Sequence, residues 1–169
     1  MFRFVPLVLL VCALTLPAAA QGRWLDTFAV PGVYPSGPFD LSVAYAVSPD
    51  GDGALAGGRF DVVDDVEAHG VARWTGAGWE ALGGGLRDRL GQPGVAFDVV
   101  RDDAGAVWVA GQFDAVVQPD GTTLSADGVA RWTGAAWDVP GRLENTTPGA
   151  GYPVGYALVV EGGSVYVAG

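Results

Sequence analysis

Lysine is absent from this 169-residue sequence, and cysteine and histidine each occur once. Cys12 lies within an N-terminal apolar run, so a chain that loses this run has no thiol. Disulfides, a cysteine nucleophile and cysteine metal ligands are then excluded. His69 alone cannot supply a structural zinc site, which takes four ligands. A serine triad needs a histidine between nucleophile and acid, and no nucleophile elbow surrounds Ser36, Ser42, Ser48, Ser125 or Ser164. His69 therefore reads as a loop residue. No stretch carries a convincing 3.6-residue period, so helices are not expected. The glycine-rich "LGGGLRDRL" has no Walker lysine and reads as a connection leaving a repeat. Positive charge is scarce: nineteen carboxylates face nine arginines, for a formal charge of −10. Such a balance repels nucleic acid and anionic lipid headgroups, and neither is expected as a partner.

The N-terminus has the layout of an export signal. Met1-Phe2-Arg3 supplies a short positive start, an apolar run follows over 4–16, and Pro17-Ala18-Ala19-Ala20 supplies a break and small residues. Cleavage is expected after Ala20, giving a secreted or cell-surface chain with no membrane span; the run falls short of the ~20 apolar residues a span needs. Loss of Arg3 takes the formal charge to about −11.

What is present is a repeat. "VARWTGAGW" at 71–79 returns as "VARWTGAAW" at 129–137. Trp79 and Trp137 lie 58 positions apart, and Trp24, in "GRWLDTF", lies 55 before Trp79. Apolar segments line up in the same way: "SVAYAVSPDG", "GVAFDVVRDDAG" and "GYALVVEGG", each followed by a small-residue stretch, "ALAGGRFD", "AVWVAGQFD" and "SVYVAG". Each unit reads as four short strands. The first is 43–47 or 95–100, the second 54–58 or 106–111, the third 71–74 or 129–132, and the fourth starts at Trp79 or Trp137. Long loops over 61–70 and 114–128 separate the second and third. Asp-Gly pairs suit hairpin turns, and four strands per 50-odd residues select a propeller among all-β folds. The fold expected is therefore an all-β propeller of four-stranded antiparallel blades. A signal occupies 1–20 and the repeat region 21–169. Within it lie a lone fourth strand at 24–28, complete blades at 42–86 and 94–143, and a partial blade at 154–169. Two complete blades are fewer than a ring takes, so further blades from a longer chain are expected as partners.

The stretch "GGRF…VARWTGAGWEALGGGL" resembles kelch-like repeats of the galactose oxidase central-domain kind, with Gly57-Gly58 as the doublet and Trp74 or Trp79 as the later aromatic. The second unit departs from this, with Gly111-Gln112 at the doublet. A closer similarity is to repeats of secreted bacterial surface proteins with the pattern Gly-Gly-x-Phe, then Val-Ala-Arg-Trp-x-Gly-x-x-Trp-x-x-Leu-Gly. The resemblance implies the propeller fold and a cell-surface setting, but no activity. Galactose oxidase chemistry needs a cysteine–tyrosine cofactor and two histidines, which this chain lacks.

Within the repeats, Arg73 and Arg131 with Trp74, Trp79, Trp132 and Trp137 are read as structural. The tryptophans pack between blades, because burial of each stabilises by roughly 3–5 kcal/mol, and each arginine pairs with a carboxylate. Asp61 and Asp114, behind Phe60 and Phe113, are expected to cap the long loops and to face Arg73 and Arg131. Two acidic clusters, Asp50-Gly51-Asp52-Gly53 and Asp64-Asp65-Val66-Glu67, raise calcium, but the first is far too short for a dedicated loop and its residues are those hairpin turns prefer. No cofactor is expected otherwise. The function expected is that of a non-enzymatic surface-display or interaction module for a protein or glycan ligand. The alternatives are an extracellular hydrolase or lyase with catalytic residues outside this segment, and a calcium-stabilised adhesin.

Overall fold

The computed structural model describes residues 33–34, 42–145 and 152–169. The expected signal, the expected strand 24–28 and Trp24 lie outside the described residues. In chain order the strands are β1 (Val33–Tyr34), β2 (Val43–Asp50), β3 (Gly53–Arg59), β4 (Val62–Val63), β5 (Val66–Glu67), β6 (Val71–Trp74), β7 (Trp79–Ala81) and β8 (Leu86–Arg87). There follow β9 (Val95–Arg101), β10 (Val107–Gln112), β11 (Ala115–Val117), β12 (Thr123–Ser125), β13 (Val129–Trp132), β14 (Trp137–Asp138), β15 (Ala157–Glu161) and β16 (Ser164–Ala168). No helix occurs among the described residues. The chain is all-β, built of several small antiparallel sheets, and among the described residues these do not close into a barrel or ring.

Two four-stranded sheets repeat one design. The first runs β2-β3-β6-β7 and the second β9-β10-β13-β14, each a simple antiparallel meander. A third unit is represented by the hairpin β15-β16. Local chemistry makes the turns. Gly162 and Gly163 both take positive φ, 58° and 78°, as a two-residue type I′ hairpin requires. Thr75 Oγ1 accepts the Ala77 and Gly78 N–H groups and closes the β6–β7 turn. Thr133 Oγ1 accepts the Ala136 N–H in the second copy.

The segments expected as loops, 61–70 and 114–128, are hairpins. Asp64, at φ 57°, turns β4 into β5, and β11 pairs with β12. Matching backbone bonds close the base of each: Ala68 N–H to Asp61 O and Gly70 N–H to Phe60 O in the first, Ala126 N–H to Asp114 O and Gly128 N–H to Phe113 O in the second. These hairpins join small sheets of their own, β1-β4-β5 and β8-β11-β12. The glycine-rich connection after β7 is thus more than a link, because its strand β8 pairs with β11 of the next unit.

The units meet at a tight seam. Strands β2 and β3 lie against β9, and β9 and β10 against β15. One buried cluster crosses the first seam, joining Leu55, Val71, Leu82 and Leu86 to Val99, Val107, Val109, Trp132 and Trp137. Glycine makes the approach feasible. A Cβ on Gly57 would sit 3.1 Å from Ala96 Cβ, and one on Gly84 would sit 2.6 Å from Val117 Cγ1. Gly58 and Gly111 serve a different contact: the main chain of Val43 and of Val95, respectively, passes where their Cβ would be.

Candidate binding surface

The first strands of the two four-stranded sheets, β2 and β9, each carry one irregularity at the same place. The β2–β3 register shifts between Ala44 and Ala46, leaving Tyr45 without a cross-strand partner. In β9–β10, Ala96 pairs with Gly111 and Asp98 with Ala110, which leaves out Phe97. A bulge of this kind re-aims the extra side chain. Aligning the repeats on their hairpins makes Tyr156, just before β15, the third member. The three rings form a continuous row: Tyr45 to Phe97 is 5.3 Å between centroids, and Phe97 to Tyr156 is 5.4 Å. Tyr45 is 50% exposed and Tyr156 61%. This row was not among the expected site residues, although its signal is in the sequence: an aromatic is central in "VAYAV", "VAFDV" and "VGYAL". Beside the row, Asp98 Oδ2 accepts the Leu158 N–H at 2.7 Å and ties β15 to β9.

The expected repeat residues lie mostly behind this surface. Phe60 and Phe113 are buried. Trp132 and Trp137 are buried and meet edge to face at 5.4 Å, whereas Trp74 and Trp79, 5.6 Å apart, are half-buried. The Trp137 indole N–H donates to Leu82 O of the preceding unit at 2.9 Å. Gln118 clamps the backbone of Trp137, donating to its O at 2.9 Å and accepting its N–H at 2.8 Å.

Each repeated arginine pairs with a carboxylate, as expected, but not with the one expected. Arg73 pairs with Asp50, not Asp61; its Nε lies 2.5 Å from Asp50 Oδ2, side-on rather than along the N–H. The other oxygen of Asp50 takes Arg101 Nη1 at 3.0 Å, so one buried carboxylate links both sheets. Arg131 pairs with Asp138 at 2.6 Å, not Asp114, and its guanidinium lies 5.5 Å from the Trp108 ring. The physical reason is register. Arg131 stands directly across from Asp138 in the β13–β14 ladder, and the β2–β3 hairpin brings Asp50 to the end of the sheet beside Arg73. Asp114 Oδ2 instead accepts the Arg89 N–H at 2.9 Å. Asp61 lies beside His69, with Oδ1 and Nδ1 3.8 Å apart.

The acidic clusters raised for calcium are placed as follows. Asp50 is engaged by its two arginines, and Asp64-Asp65 forms the β4–β5 turn. No group of three or more metal-ligating side chains occurs among the described residues. Asp102, equivalent to Asp50, accepts the Trp108 indole N–H at 2.9 Å and the Ala106 N–H at 2.8 Å. Burial pushes its pKa up, but the bonds from Trp108, Ala106 and Ala104 and the charge of Arg131 outweigh this and hold it below the usual value. His69 is shifted down, first by burial and then by the Arg87 charge, against the opposing pull of Asp61 and Glu67. A shallow hollow is lined by Arg87, Asp88, Arg89 and Asp114. Arg89 also lies 3.8 Å over the Tyr152 ring.

No protein-family model matches this chain, and neither a curated protein nor a solved structure does.

Proposed function

We propose that this chain is a segment of an exported, non-enzymatic β-propeller that serves as a surface-display or interaction module. In this reading the two four-stranded sheets and the β15-β16 hairpin are successive blades. The observation that carries it is the row Tyr45–Phe97–Tyr156. Bulges at the same place in β2 and β9, and the equivalent position just before β15, place one aromatic each, side by side and partly open to solvent. Packing of the sheets against one another does not require half-exposed rings. Rings in such a row offer flat apolar faces and, at the tyrosines, polar edges, which suits a protein or glycan ligand.

The reading is tested by affinity electrophoresis of the purified chain in gels containing bacterial and plant polysaccharides, with immobilised extracellular-matrix proteins as a second panel. Retention is expected on at least one member of a panel, and it is lost in the double variant Tyr45→Ala/Tyr156→Ala while the melting temperature stays within about 3 °C, since half-exposed side chains carry little of the core. Retention unaffected by the double substitution, or absent from both panels, would refute it.

A further inference from the structure

We infer that the outer edge of β16 is an acceptor for an added strand carrying the repeat's own Val-Ala-Arg-Trp pattern. In both complete sheets the strand equivalent to β16 is paired on that edge. Strand β3 pairs with Val71–Trp74, and β10 pairs with Val129–Trp132, in the same register. Among the described residues β16 pairs only with β15. The Glu161–Ser164 pair closes a two-residue turn, so alternation along the ladder directs the main chain of Ser164, Tyr166 and Ala168 to β15. The N–H and C=O groups of Val165 and Val167 then face outward as a template.

Side chains match the same occupant. Val165 and Val167 line a largely apolar cleft of about 250 Å³ together with Trp108, Val129, Pro140 and Leu143. Its one charged side chain, Arg142, pairs with Asp127 at 3.3 Å. In the occupied register, Val107 and Val109 pair with Trp132 and Ala130. An added strand would therefore set its Trp beside Val165 and its Ala beside Val167, both facing this apolar cleft. Its Arg would stand across from Tyr166, as Arg131 stands across from Trp108. That Arg would also find Glu161, which occupies in the hairpin the place of Asp50, the partner of Arg73. The partner is thus an extended segment from a repeat unit of the same kind, recognised by backbone pairing, an apolar cleft and a carboxylate.

The test uses the purified chain and a fluorescein-labelled synthetic peptide with the sequence of residues 128–138. Anisotropy should rise saturably, and a peptide with glutamate in place of the arginine should bind at least tenfold more weakly. Glu161→Arg, an exposed change that leaves the edge intact, should invert this preference. Val167→Pro, which removes an outward N–H, should abolish binding of both peptides, while Val47→Ser, on the first sheet, should change nothing. Absence of saturable binding to the unmodified chain, or a Glu161→Arg variant that ranks the two peptides as the unmodified chain does, overturns the inference. The edge lies one strand outward from the Tyr45–Tyr156 row, so this result and the fate of the proposed binding function are read separately.

Discussion

Truncating two tryptophans that occupy the same place in the repeat should cost very different amounts. Trp137 is 3% exposed, meets Trp132 edge to face, and donates its indole N–H to Leu82 O across the seam between units. Loss of a fully buried tryptophan typically costs ~3–5 kcal/mol, and the stranded Leu82 carbonyl places Trp137→Ala toward the upper end. Trp137→Phe keeps most of the packing but leaves that carbonyl without its donor, at ~1–3 kcal/mol. Trp79 is half-buried against the smaller cluster of Phe60, Val63, Ala68 and Ala72. Trp79→Ala should therefore cost about half as much as Trp137→Ala, roughly 2 kcal/mol. Urea unfolding followed by far-UV circular dichroism separates the cases. With a slope of ~2 kcal/mol per molar, Trp137→Ala lowers the midpoint by about 2 M and Trp79→Ala by about 1 M. Equal midpoints for the two alanine variants would refute the argument that the seam, and not the motif, sets the cost.

Gly84→Ala should destabilise by at least ~1–3 kcal/mol because its Cβ lands 2.6 Å from Val117 Cγ1, and a drop in melting temperature of several degrees would show it. Gly78→Ala, with nothing within 4 Å of the new methyl and Ala136 at the same place in the second repeat, should be neutral or stabilise by ~0.4–1 kcal/mol in the same melt. His69 favours its neutral form when folded, so the unfolded chain binds more protons below the unshifted value of 6.5. Its contribution to stability is complete above that pH and is lost as pH falls through the lower folded value. His69→Asn, which tolerates the φ of 44°, should flatten the melting temperature between pH 7 and pH 5.5 relative to the unmodified chain. Asp50→Asn leaves Arg73 and Arg101 facing each other without their carboxylate; a loss of ~1–3 kcal/mol in urea unfolding is expected, and an unchanged midpoint would show that the bridge is not a stabilising one.

Much of the local structure was legible because it is set by short-range chemistry. The third strands, Val71–Trp74 and Val129–Trp132, begin and end where apolar alternation gives way to Thr-Gly, and the fourth start at Trp79 and Trp137 as expected. The hairpins inside 61–70 and 114–128 were not legible. Their strands are two or three residues long, below any periodicity signal, and they form because β1 and β8 come to pair with them. The ion pairs escaped for a related reason. Asp61 and Asp114 follow the two phenylalanines in both copies and invite pairing with the repeated arginines. Hairpin register instead carries Asp50 and Asp138 to those arginines, and sequence proximity does not report register.

The sequence by itself determined the unit: strand, tight turn, strand, repeated with the same tryptophans and glycines, in an acidic chain without lysine. Turn geometry and alternation act over a few residues, so similar letters produced meanders of the same strand order. Only the tertiary structure decided what each copy of a residue does. Val99 is fully buried because the first sheet lies against it, while its counterpart Val47 is 74% exposed because no described sheet covers it. The same difference separates Trp137 from Trp79, and it places Tyr45, Phe97 and Tyr156 in one row from positions more than fifty residues apart. Burial and adjacency are properties of the neighbour a unit meets, and a repeat does not encode within itself which neighbour that is.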